Sequence, residues 1–85
     1  MLGAWIYEPF ISPYDAFVFF NAIGQNPDYY YQPVAVAKQV VNGTNFRFVC
    51  IARAKNPNGI THFAIVEIYK PIATAAYVTT IYPIE

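Results

Sequence analysis

Eighty-five residues make one domain with a single modest core, enough to bury about 60% of the surface the unfolded chain exposes. The composition, 56% hydrophobic and 19% aromatic with only 12% charged, excludes a disordered chain and leaves more apolar surface than its charges can cover. Formal charge is zero, and Lys38, Arg47, Arg53, Lys55 and Lys70 are scattered, which excludes the basic footprint of a nucleic-acid binder.

The first ten residues, MLGAWIYEPF, carry no basic n-region and no long apolar stretch, so no secretory signal is expected there. Trp5 to Tyr7 are compatible with a short strand. The segment ISPYDAFVFFNAIGQNP then supplies the punctuation of a helix. Ser12 suits the N-cap, Pro13 the first helical position, and Asp15 places negative charge at the positive end of the helix dipole. Gly24 suits a left-handed cap and Asn26-Pro27 a stop, so a helix is predicted near Pro13 to Ile23. That helix is nearly free of charge, whereas a helix with one wet face normally carries polar residues on it. Asp28 to Tyr31, DYYY, reads as a loop packing its tyrosines on a sheet edge.

From Gln32 onward the apolar period changes to two. PVAVAKQVV ends at Asn42-Gly43, the strongest short-range hairpin signal. NFRFVCIARAK alternates Phe46, Phe48, Cys50 and Ala52 with Arg47, Val49, Ile51 and Arg53. A break at Asn56 to Gly59 leads into ITHFAIVEIYK, where a water-facing Glu67 puts Ala64, Val66 and Ile68 inside. Pro71 ends that strand, and TAAYVTTIYPIE supplies the last. The predicted fold class is α+β: one N-terminal helix packed on a four- to five-stranded antiparallel sheet, with residues 1–85 as a single domain.

Catalytic groups are scarce: one serine, one cysteine and one histidine, Ser12, Cys50 and His62. His62 is expected opposite residue 54, which leaves it some 13 Å along the strand from Cys50 at about 3.3 Å per residue. That is too far for a nucleophile and its base. Glu8, Asp15, Asp28, Glu67 and Glu85 lie far apart in sequence, and one histidine without spaced partners makes no metal site. No enzyme, cofactor or metal is expected, and a single cysteine excludes an internal disulfide. Phe46 and Phe48 imitate the base-stacking strand of an RNA-binding domain, but packing beneath the helix accounts for them better. No run reaches the roughly 20 apolar residues of a membrane helix. Neither nucleic acid nor a membrane is expected as a partner. Asn42-Gly43-Thr44 also spells a glycosylation acceptor, a triplet that often arises by chance.

AKQVVNGTNFRFVCIA resembles the central strand pair of cystatins, the protein inhibitors of papain-like cysteine proteases. Their Gln-x-Val-x-Gly signature is filled by Gln39, Val41 and Gly43, with Val40 and Asn42 between, at the tip of the predicted first hairpin. The order of elements is similar too: an N-terminal glycine, Gly3, one helix, then four strands. The resemblance implies a cystatin-like fold and a reversible, competitive inhibitor that occludes the protease cleft with a three-part wedge. The parts would be Gly3, the tip Gln39 to Gly43, and the second hairpin, where Pro71 and Ile72 replace the family's usual Pro-Trp or Pro-Gly pair. The implied partner is a papain-like cysteine protease. The alternative is a non-inhibitory cystatin-fold module that binds another protein. Val40 and Val41 alternate faces, so at least one is left uncovered at the tip, as a contact surface requires. The uncharged helix surface and Tyr29 to Tyr31 add the expectation of a homodimer, with strand swapping at Val40 to Gly43 as one route to it.

Overall fold

The computed structural model describes residues 3–26, 28–56 and 58–84. Six elements follow one another: β1 (Trp5–Glu8), α1 (Pro13–Ile23), β2 (Tyr29–Val41), β3 (Gly43–Ala54), β4 (Thr61–Lys70) and β5 (Tyr77–Pro83). The strands form one antiparallel sheet in the order β1-β2-β3-β4-β5, and α1 packs on one face of it. Pro27, Pro57 and Glu85, read from the sequence as a helix stop, part of a turn and a carboxylate, lie outside the described residues.

Helix α1 begins where its chemistry says it should. Asp15 N–H donates to Ser12 Oγ at 3.1 Å, and Ser12 N–H donates back to Asp15 Oδ2 at 3.2 Å. This reciprocal capping box satisfies two backbone donors that the first turn would leave orphaned. Removing half of it with Ser12→Ala will lower stability by about 1 kcal/mol, read as a shift in the denaturant midpoint at unchanged slope. At the other end Gly24 has φ 57 and ψ −142, a positive φ but not the left-handed helical pair the sequence suggests. Its N–H still donates to the Phe20 carbonyl, at 3.2 Å.

The period-two pattern sorts the sheet into two faces. Phe46, Phe48, Cys50 and Ala52 are buried beneath the helix, joined by Ala64, Val66 and Ile68 of β4. The centre is aromatic: Phe19 meets Phe48 edge-on at 5.0 Å between ring centroids, and Phe46 stacks on Phe48 at 5.7 Å. Rings of this size each contribute about 1.5–3 kcal/mol by burial. Because Phe46 and Phe48 lie inside, they offer no stacking surface to a nucleic acid.

Three details depart from the sequence reading. Strand β2 starts at Tyr29 rather than Gln32, because Tyr29, Tyr30 and Tyr31 pair with Ala54, Arg53 and Ala52. Alternation splits these tyrosines between faces instead of gathering them in a loop. The β3–β4 register closes at Arg53 opposite Thr61, so His62 sits opposite Ala52, not residue 54. The first hairpin pairs Val41 with Gly43 and Val40 with Thr44, centring the turn on Asn42.

Both free edges of the sheet are interrupted. β1 covers only Val36 to Gln39 of β2, and the uncovered part holds Pro33 and a register shift between Pro33 and Ala35. On β5 the register shifts between Glu67 and Ile68, leaving Thr79 as the extra residue, and the strand ends at Pro83.

Candidate functional site

Antiparallel pairing brings three separate pieces of chain to one end of the sheet. Trp5 pairs with Gln39, which sets Gly3 beside the first hairpin: its N–H donates to the Val40 carbonyl at 3.0 Å. Gln39 Nε2 donates to the Gly3 carbonyl at 2.8 Å, and Asn45 Nδ2 donates to Gln39 Oε1 at 2.9 Å. Thr44 pairs with Lys70, which lays the loop after β4 alongside the hairpin. Lys70 Nζ donates to the carbonyls of Pro71 at 2.8 Å and Thr74 at 2.7 Å, holding that loop in shape. All the residues singled out from the sequence, Gly3, Gln39, Val40, Val41, Asn42, Gly43, Pro71 and Ile72, are therefore neighbours in space.

The surface they present is apolar. Val40 is 55% exposed, Val41 37% and Ile72 75%. Between the hairpin and the second loop runs a shallow groove, lined by Val40, Val41, Gly43, Thr44, Lys70, Pro71, Ile72 and Tyr14. Tyr14 comes from the first turn of α1, an element the sequence reading did not connect to the tip. Its ring stands 6.5 Å from that of Phe46, which positions it at the groove. Only the direction of the helix across the sheet puts it there, so no local pattern could have found it.

Gly43 has a structural requirement of its own. Its φ is 106, and a Cβ built there would lie 2.6 Å from the Tyr69 hydroxyl oxygen and 2.7 Å from the Lys70 carbonyl oxygen. The Tyr69 hydroxyl donates to the Asn42 carbonyl, so the tyrosine lies across the turn and leaves no room for a side chain. No residue other than glycine has a positive φ among the described residues, which excludes a type I′ turn with Asn42 and Gly43 at its centre.

Behind the tip lies a cluster that sequence distance conceals. Lys38 Nζ lies 2.6 Å from Asp15 Oδ1 and 3.0 Å from Glu8 Oε1. Asp15 is wholly buried, and Lys38 and Glu8 are mostly so. Burial alone would lower the Lys38 pKa, but hydrogen bonds and charge from Asp15 and Glu8 outweigh it and raise the value overall. The ammonium also sits 5.9 Å from the Phe46 ring centroid. Two carboxylates that look unrelated in sequence thus converge on one lysine and pin β1, α1 and β2 together. On the opposite face, Arg47 bridges to Glu67 at 2.6 Å while stacking 4.2 Å from the Trp5 ring.

Cys50 and His62 share the helix-facing side of the sheet one repeat apart, closer than the sequence register suggests. They still do not act together. The Cys50 sulfur contacts the Phe48 carbonyl, and burial pushes its thiol up to about 12, away from the thiolate a nucleophile needs. His62 packs edge-on against Tyr29. No group of three or more potential metal ligands occurs among the described residues, and no helix there is long and apolar enough to cross a membrane.

Among known proteins, no family model matches this chain, and neither a curated protein nor a solved structure does.

Proposed function

We propose that the chain is a cystatin-like, reversible and competitive inhibitor of papain-like cysteine proteases, acting through its hairpin end. One observation carries the reading: Gly3, the tip Gln39 to Gly43 and the loop at Pro71 and Ile72 meet on a single exposed apolar edge. An exposed apolar edge of this kind suits a narrow apolar cleft, with Val40, Val41 and Ile72 as the anchors. No covalent step is involved; the protein occupies the cleft and dissociates intact.

A second reading has its own support. Gln39 spends its side-chain amide on Gly3 and Asn45, and Gly43 is required by Tyr69, so two of the three signature residues already have internal roles. A scaffold could keep them for the turn alone and serve as a non-inhibitory binding module.

Titration against papain separates the two. Stoichiometric loss of activity is expected, and the Val40→Asp, Val41→Asp double variant, altered only at exposed positions, should weaken inhibition about 30-fold or more, as loss of a hot spot worth about 2 kcal/mol would. Absence of inhibition by folded, monomeric protein would sink the inhibitor reading and leave the module.

A further inference from the structure

We infer that the outward face of α1 is a self-association surface whose occupant is the same face of a second copy of this chain. The helix buries Asp15, Val18 and Phe19 against the sheet, yet the residues it turns to solvent are Tyr14, Phe17, Phe20 and Asn21. Phe10, just ahead of it, is more than half exposed as well, and Phe17 is 64% exposed. A helix that is apolar all round belongs in an interior, and this one has a covered face on one side only.

Area argues for a partner of ordinary interface size. Four rings, each more than half exposed, offer on the order of 100 Å² apiece, since an aromatic side chain buries about 150–250 Å². That makes about 400 Å², half of the roughly 800 Å² each partner contributes to a stable interface. The patch does not stop at the helix. Tyr14 joins it to Val40, Val41 and Ile72 through the groove. Those three exposed or half-exposed side chains extend the apolar surface from about 400 Å² toward the roughly 800 Å² that each partner of a stable interface contributes.

Charge argues for a second copy. The outward residues of α1 include no ionisable acid or base at neutral pH, and its one charged residue, Asp15, is buried and paired with Lys38. Two such faces meet without like-charge repulsion, and nothing on them selects a charged partner. The stripe is also close to symmetric about Phe17, with Tyr14 on one side and Phe20 and Asn21 on the other. Two antiparallel helices crossing at Phe17 on a two-fold axis set Tyr14 of each copy near Phe20 of the other, a self-complementary packing. The hairpin at Val40 to Gly43 stays closed in this dimer, in contrast to strand exchange. Because Tyr14 borders both surfaces, dimerisation encroaches on the groove.

Sedimentation velocity from about 1 to several hundred micromolar tests this without any protease. The expected result is a concentration-dependent dimer that Phe17→Glu converts to monomer, while Tyr7→Glu, at an equally exposed site on β1, leaves it intact. Circular dichroism of Phe17→Glu should remain that of the wild type, since the side chain is outside the core. Wild-type protein that stays monomeric throughout would overturn the inference. So would a dimer indifferent to Phe17→Glu, or one that Tyr7→Glu removes equally. The papain titration can fail while this succeeds, and the reverse, so the two readings stand or fall separately.

Discussion

Replacing Lys38 with methionine will cost about 3–5 kcal/mol of folding stability, a large part of the roughly 4–13 kcal/mol expected for a chain of this length. Among the described residues the lysine is the only cation against Asp15, whose carboxylate is 0% exposed, so its removal strands a charge in the interior. Methionine fills most of the lysine's volume, which keeps cavity formation out of the comparison. Adding Asp15→Asn should recover a substantial part of the loss, because the stranded charge is gone while Ser12 N–H keeps an acceptor. A pH series sharpens the test. Asp15 and Glu8 hold the folded-state pKa of Lys38 above the ordinary lysine value of 10.5, so its stabilisation is fully present below about pH 10.5 and is lost as pH rises through the folded value. The gap between wild type and Lys38→Met should therefore narrow at strongly alkaline pH. A gap that is small at pH 7 would mean the cluster is merely tolerated.

Gly43→Ala is expected to destabilise by about 2–4 kcal/mol, which for a domain of this size lowers Tm by roughly 10–20 °C. Two terms add. An alanine at φ 106 is strained by about 1–2 kcal/mol, and its Cβ would press on the Tyr69 hydroxyl and the Lys70 carbonyl. Combining it with Tyr69→Phe should return only a fraction, since the carbonyl contact at 2.7 Å remains. Substituting Val41, on the same tip but exposed, should leave Tm nearly unchanged. The contrast between the two positions separates what the signature residues do for the turn from what they offer a partner.

Most of the architecture was legible because local and global signals agree. Ser12, Pro13 and Gly24 bound a helix that runs from Pro13 to Ile23, and the alternation through Phe46, Phe48 and Cys50 marks the buried face. Register was harder. The β3–β4 connection runs longer than its turn signal implies, so His62 shifted by two positions while keeping its face. At the turn Gly43 supplies the positive φ, while the Tyr69 hydroxyl, twenty-seven residues on, donates to the Asn42 carbonyl, a contact no local pattern could show. The ion cluster at Lys38 was missed, although one clue was present: Lys38 shares the parity of Val36, which puts a lysine on the core face. An inward lysine demands a carboxylate, but which one depends on how β1 and α1 come together. The grouping of Gly3, the tip and Pro71 was expected from the cystatin resemblance, and antiparallel pairing brings these residues to one end of the sheet, while the contribution of Tyr14 depended on the path of the helix over the sheet.

The interrupted sheet edges bear on how this protein behaves in concentrated solution. A chain with so many uncovered rings is a natural candidate for open-ended growth by strand-to-strand templating. Pro33 and the shift beside it spoil one side as a template, and Thr79 and Pro83 spoil the other. The apolar outward face of the helix has no unpaired backbone ladder to propagate. Crowding the protein should yield discrete particles that redissolve on dilution, and a thioflavin-negative solution even where scattering rises.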